Sequence, residues 1–319
     1  MNKRTTISVI SVLAVGAIVL WVFYFQETDK LKDAQARIDA LEGNVSTLEA
    51  DLAAVPTGLV KLITPTVVAF PDVNLTAAIR ETLNKSQGPI YKSDLKSLTV
   101  LEWHYSNFFT GEMATDRRIA DLTGLEYCVN LQVLSLYDNN ISNIPSLAGL
   151  THLQMLYLYD NNISDISALA GLTNLESLTL LNNNISDISP LASLANLEQL
   201  YLGSNNISDI SPLASLTNLT YIELYNNNIG DISPLISLTN LSYLRLYNNN
   251  ISDISPLVGF LNLRELYLQD NNISDISPLL ANSGLSGEDI VYLRGNPLST
   301  TSINDYIPQL EARGVNVVY

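Results

Sequence analysis

The chain has 319 residues, 47% of them hydrophobic and 15% charged, enough apolar side chain for a large folded domain with appendages. A formal net charge of −16 argues against nucleic acid or an anionic membrane surface as its ligand. Cys128 is the lone cysteine, so no internal disulfide can form, and it reads as a small buried apolar residue rather than a reactive thiol.

Residues 1–6 carry Lys3 and Arg4, and the span from Ile7 to Phe25 is free of charge. Its 19 residues make roughly 29 Å of helix, enough to cross a bilayer core. Lys3 and Arg4 predict a cytoplasmic N-terminus, with Trp21, Phe23, Tyr24 and Phe25 at the outer interface. A cleaved signal peptide is the rival reading, but its apolar region would end in small residues rather than bulky aromatics. The expectation is a single-pass anchor over 7–25 with everything after it extracytoplasmic.

Over 26–55, residues Leu31, Ala34, Ile38, Leu41, Val45, Leu48 and Leu52 fall at a and d positions of successive heptads. They predict a coiled-coil stalk that joins copies of the chain through residues 31–52; a solvated single helix is the alternative, since Gly43 and Asn44 interrupt the pattern. Residues 56–69 read as an extended linker. Helical spacing at Leu75, Ile79 and Leu83 then opens a 70–130 segment, interrupted at 103–118 by an insertion rich in aromatics. Those aromatics either pack on the segment or form a protruding contact loop.

From Leu131 a 22-residue unit occurs seven times, starting at Leu131, Leu153, Leu175, Leu197, Leu219, Leu241 and Leu263. It reads Leu-x-x-Leu-x-Leu-x-x-Asn-x-Ile-Ser-Asp-Ile-Ser-Pro-Leu, and a fixed period of this length marks a stacked solenoid. Leu200-Tyr-Leu202 is a half-buried strand, and stacking at about 4.8 Å makes one parallel sheet. The following asparagines (Asn139, Asn161, Asn183, Asn205, Asn227, Asn249, Asn271 and, off period, Asn296) are expected to turn inward and bond the backbone of their own and the next coil. Opposite the sheet, Ser189-Pro190 and its equivalents read as a capping Ser and a first-turn Pro, leaving room for about one helical turn. Residues 131–287 are the repeats, and 288–319, with a short helix expected to break near Pro308, close the far end.

This pattern resembles the leucine-rich repeat, in the 22-residue form found in internalins and related bacterial surface proteins. The segment from 70 is similar to the helical cap that precedes internalin repeats, and the resemblance covers about residues 70–285. It implies an α/β leucine-rich-repeat solenoid, a horseshoe with a parallel concave sheet and a short 3-10 or turn convex side. It also implies a protein that works by binding another macromolecule.

No residues are spaced for catalysis, a metal or a cofactor: His104 and His152 lack partners at ligand spacing. Asp165, Asp187, Asp209, Asp231, Asp253 and Asp275 form a line that reads either as turn-capping carboxylates or as weak calcium ligands. The Asn-Ile-Ser triplets match a glycosylation sequon only because the repeat contains them. Variation concentrates on the outward strand positions, which carry Tyr137, Tyr157, Tyr159, Tyr201, Tyr221, Tyr225, Tyr243, Tyr247, Tyr267 and Tyr292. Charges lie among them at Asp160, Glu223, Arg245, Glu265 and Arg294. Tyrosine suits strands and stacks along them, but it also gives rigid, amphipathic contact area. The expectation is a binding face for a protein or glycan, with the tyrosines facing solvent; an envelope scaffold that holds a membrane complex together is the alternative.

Overall fold

The computed structural model describes residues 35–44, 65–104 and 117–319. The expected anchor at 7–25 lies outside the described residues, as does most of the insertion. The chain divides into two units, Met1–Thr66 and Val67–Tyr319. In the first, residues 35–44 are helical through Gly43 and Asn44, with Gln35 donating to Asp39 at 2.9 Å. The rest of the stalk lies outside the described residues. Among the described residues no helix is long and apolar enough to cross a membrane.

The second unit begins earlier than the expected boundary at 70, because β1 (Val67–Val68) pairs antiparallel with β2 (Ile90–Tyr91). Helix α1 (Val73–Thr82) is capped by Asp72, whose carboxylate accepts from the Asn74 and Leu75 amides at 2.8 and 3.0 Å. The other oxygen of Asp72 accepts from Ala120 N, 2.8 Å away, and so ties the helix to the chain returning from the insertion. Phe70 lies against Gly124, where φ of +104° and the ring leave no room for a side chain.

Ten parallel strands then stack in chain order, from β3 (Val100–Glu102) to β12 (Asn316–Val318). The sheet thus starts one coil before the first repeat. Trp103 and His104 extend β3 rather than open a loop: Trp103 N donates to Ser135 O at 2.8 Å, and its ring is buried. Ile119 is the equivalent of Ile141, so 14 residues separate it from His104 where the next coil places only Asp138, Asn139 and Asn140 between Tyr137 and Ile141.

Each coil buries the same apolar set. In one coil it is Leu197, Leu200, Leu202, Ile207, Ile210, Leu213 and Leu216, all essentially without exposure. Truncating such a side chain to Ala typically costs about 2–5 kcal/mol. Opposite the strands, Ser189–Ser193 and its equivalents form single 3-10 turns. The expected capping role of Ser189 is corrected here. Ile188 is the cap residue and Ser189 the first helical one, while the carboxylate of Asp187 accepts from Ser189 N at 2.8 Å. Asp165, Asp209, Asp231, Asp253 and Asp275 do the same at 2.8 Å. The backbone bond from the following Ser holds the carboxyls of Asp165, Asp209 and Asp231 below the usual range. The acidic line is therefore a row of turn caps.

The asparagine ladder is present, with its direction reversed from expectation. Asn227 Nδ2 donates to Leu224 O and Tyr225 O of its own coil and to Leu202 O of the preceding one, each at 3.1 Å. Its Oδ1 accepts from Ile207 N, again in the preceding coil, at 2.9 Å. Asn296 closes the series with bonds to Leu268 O, Leu293 O and Ile273 N. The residue before each of the seven in-period ladder asparagines is left-handed: Asp138, Asp160, Asn182, Ser204, Asn226, Asn248 and Asp270 have φ between 52° and 56°. Asn and Asp tolerate this conformation better than other side chains, so the position is nearly closed to apolar residues.

At the far end the helix runs unbroken over 300–312. Pro308 has no N–H to offer the preceding turn, and Ser302–Tyr306 widens to π geometry to accommodate it. Arg313 donates to the carbonyls of Leu279, Leu280 and Asn282, clamping the final helix onto the last coil.

Candidate functional site

The strand register sorts the outward side chains of the sheet into three columns. The first runs from Val133 through Tyr221 and Tyr243 to Glu265 and Ile290. The second holds Tyr157, Tyr201, Glu223, Arg245, Tyr267 and Tyr292. The third, two residues further on, holds His104, Tyr137, Tyr159, Tyr225, Tyr247 and Arg294, with Leu181 and Gly203 between its two tyrosine pairs. All ten tyrosines expected on this face are therefore on it.

They are half-buried rather than freely solvated, and for nine of them a neighbouring ring supplies part of the cover. Tyr137 stacks on Tyr159 at 4.3 Å between centroids and on His104 at 4.1 Å. Tyr225 and Tyr247 stack at 4.6 Å with planes 4° apart, and Tyr267 stacks on Tyr292 at 4.5 Å. Tyr221 bridges Tyr201 and Tyr243 at 4.9 and 5.4 Å. Burial pushes the His104 imidazole below its usual pKa, against the charges of Glu102 and Asp138.

At the centre lies a polar knot. Glu223 is 5% exposed, and its Oε1 accepts from Tyr221 Oη at 2.6 Å and from Arg245 Nη1 at 2.7 Å. The Arg245 guanidinium sits over the Tyr267 ring, 4.9 Å from its centroid, and Tyr267 Oη donates to Glu265 at 2.6 Å. Glu223 and Arg245, read from the sequence as candidate ligand contacts, are each other's partners. Asp160 is exposed and accepts from Asn182 at 2.7 Å, and Arg294 is exposed at the far rim.

Ring stacking leaves a measurable trace in titration. Burial pushes the Tyr225 hydroxyl up to about 12, with Glu223 and Tyr247 adding to it, and burial and the bond to Glu265 do the same for Tyr267. The unfolded chain ionises these groups near pH 10, before the folded one does. Stability held by the neutral rings is therefore complete below pH 10 and falls as pH rises toward about 12. Tyrosinate absorbance is expected to show a late-titrating class of rings that merges with the ordinary class when the protein is denatured first.

Sequence reasoning missed two features of this face. Gly203 has an ordinary backbone, but a Cβ there would lie 2.5 Å from Tyr225 Cε1, so the glycine exists to let that ring fold over it. The left-handed column was visible as a run of Asp, Asn and Ser one residue before the ladder asparagines. Cys128 is buried as expected, and burial raises its thiol pKa to about 12.

Stacked parallel strands, 3-10 turns opposite and an asparagine ladder define a leucine-rich-repeat solenoid. The family model for leucine-rich repeats (two copies) matches in overlapping pairs from 129–171 to 239–281. Among solved structures, internalin C2 of Listeria monocytogenes is similar at 36% identity and a TM-score of 0.63, over 75% of this chain and 97% of that one. Internalin F of the same organism gives 35% identity and 0.63, over 80% and 78%. A leucine-rich-repeat protein of Leptospira interrogans, at 22% identity and 0.51 over 71% and 50%, shares the fold. A comparison with curated protein sequences returns no match. The chain belongs to the internalin-type leucine-rich-repeat family. Proteins of this kind generally act in protein binding and recognition.

Proposed function

We propose that this chain is an envelope-anchored recognition protein that binds a partner protein through the sheet face. One observation carries the reading: the tyrosines are prearranged. Their rings are held by stacking, and the central knot fixes Tyr221, Arg245 and Tyr267 before any ligand arrives. Contacts that need no ordering on binding keep more of their interaction energy, and aromatics near the centre of an interface are where hot spots concentrate. Glycan stacking on the same rings is the competing use of the face.

A partner recovered with the full chain as bait is expected to bind roughly thirtyfold more weakly, about 2 kcal/mol, to a Tyr225→Ser, Tyr247→Ser variant. The fold should lose less, since only the cross-strand ring contact goes. Unchanged affinity, measured by calorimetry beside thermal unfolding, would show the rings to be architecture alone.

The charge-free stretch at 7–25 behind Lys3 and Arg4 supports display outside the cytoplasm. Protease added to intact cells, after permeabilising any outer membrane, is then expected to remove the repeats and leave a small membrane-bound stub. A mature N-terminus at or beyond residue 26 would mean that the segment is a cleaved signal.

A further inference from the structure

In the third column of the sheet face, aromatic rings flank both sides of a low middle. His104, Tyr137 and Tyr159 stack toward the centre from β3 and β5 (Met155–Tyr157), while Tyr247 and Tyr225 stack toward it from the other side. Between them stand Leu181, half-buried, and Gly203, which has no side chain. Tyr225 leans over Gly203 toward the gap. The strands of Tyr159 and Tyr225 are three steps apart, about 14 Å, and the lean of Tyr225 over Gly203 takes up about one of them, so that one face of each ring looks across Leu181 over about 10 Å. The space suits a flat group laid between rings.

Charge decides which flat group. The seven repeats carry thirteen acidic residues against Arg245 and Arg264, and Arg245 is already held by Glu223. Asp160, exposed beside the gap, accepts one side-chain hydrogen bond, from Asn182, and its charge reaches far enough to act on the Tyr225 hydroxyl. A guanidinium is planar, stacks on aromatic faces, is weakly hydrated and pairs with a carboxylate, whereas an ammonium does only the last of these well. We propose that the slot over Leu181, between Tyr159 and Tyr225 and edged by Asp160, takes an arginine side chain of a basic partner protein.

The inference rests on the sheet face being the binding face, and its test is separable from that reading. Capped Gly-Arg-Gly, Gly-Lys-Gly and Gly-Trp-Gly peptides are titrated into the full chain, with backbone amide shifts of residues 159–161, 181 and 203–205 as readout. The arginine peptide is expected to give saturable shifts at those residues, weakened by salt, with at least tenfold poorer response to the lysine peptide. Leu181→Tyr, which places in the gap the residue that other coils already carry there, should abolish the shifts. Asp160→Asn, which suits the same left-handed backbone, should weaken them at least fivefold with no change in melting temperature, so the test survives if the first variant folds poorly. No saturation, equal response to lysine, preference for tryptophan, or shifts that persist in Leu181→Tyr would each overturn the proposal. A natural partner that ignores both variants yet is lost on Tyr225→Ser, Tyr247→Ser would sink the slot and leave the binding face standing.

Discussion

Asn227→Ala is expected to cost about 3 kcal/mol of stability, although it removes one small side chain from a repeat of near-identical coils. The amide of Asn227 makes four hydrogen bonds to backbone, and the loss is uneven among them. Leu202 O also accepts from Asn205, and Leu224 O from Asn249, so these carbonyls keep a partner. The Ile207 N–H does not: Asn227 Oδ1 is its acceptor, in a buried position between coils. An orphaned buried donor costs about 1–3 kcal/mol, and each lost bond about 1 more. For a unit of this size the melting temperature should fall by roughly 10 °C. Asn228→Ala is the control. Asn228 is exposed and meets Ile207 O through its backbone N, which alanine retains, so it should melt within a degree or two of wild type. Equal melting of the two variants would remove the ladder as a source of stability.

Glu223→Ala should cost about 3 kcal/mol and should weaken partner binding as well. Breaking a buried ion pair typically costs about 3–5 kcal/mol, and the lower end applies because Arg245 is one-third exposed and partly screened. The charge left behind is poorly placed, since Arg245 Nε is already buried without a hydrogen-bond partner among the described residues. Tyr221 loses the acceptor that orients its hydroxyl, so the central rings lose their common anchor. Adding Arg245→Leu to Glu223→Ala should recover much of the stability, because the second change removes the stranded charge. Strictly additive losses in that double-mutant cycle would show that the pair is not a unit, and binding that tracks stability alone would show that the knot does not position the face.

Much of this molecule was legible in its residues because a repeat reads out its own geometry. Leucines at alternating positions, an Asn every 22 residues and a Pro opposite the strand have few joint solutions. The coil, the parallel register, the inward asparagines and the outward tyrosines all follow from that period. The Asp before each Ser-Pro could be read as a turn cap because the bond it makes is local.

What the spacing did not determine depends on contacts between coils or on the mismatched ends. The ladder's direction depends on how one coil is offset from the next, which no single repeat encodes. Trp103 and His104 looked like the start of a loop until pairing of β3 with β4 (Val133–Ser135) placed them in the inward and outward columns. Glu223 and Arg245 lie 22 residues apart and read as two free charges; only the parallel register brings them to 2.7 Å, where each is paired before any ligand arrives. Gly203 is an ordinary glycine in sequence, and its role appears only when the ring of Tyr225, one coil on, is found lying across it. Sequence specified which side chains leave the sheet, because the alternation of a strand is a property of the backbone. Which of them remain open to a partner was settled by ring stacking and ion pairing between neighbouring coils.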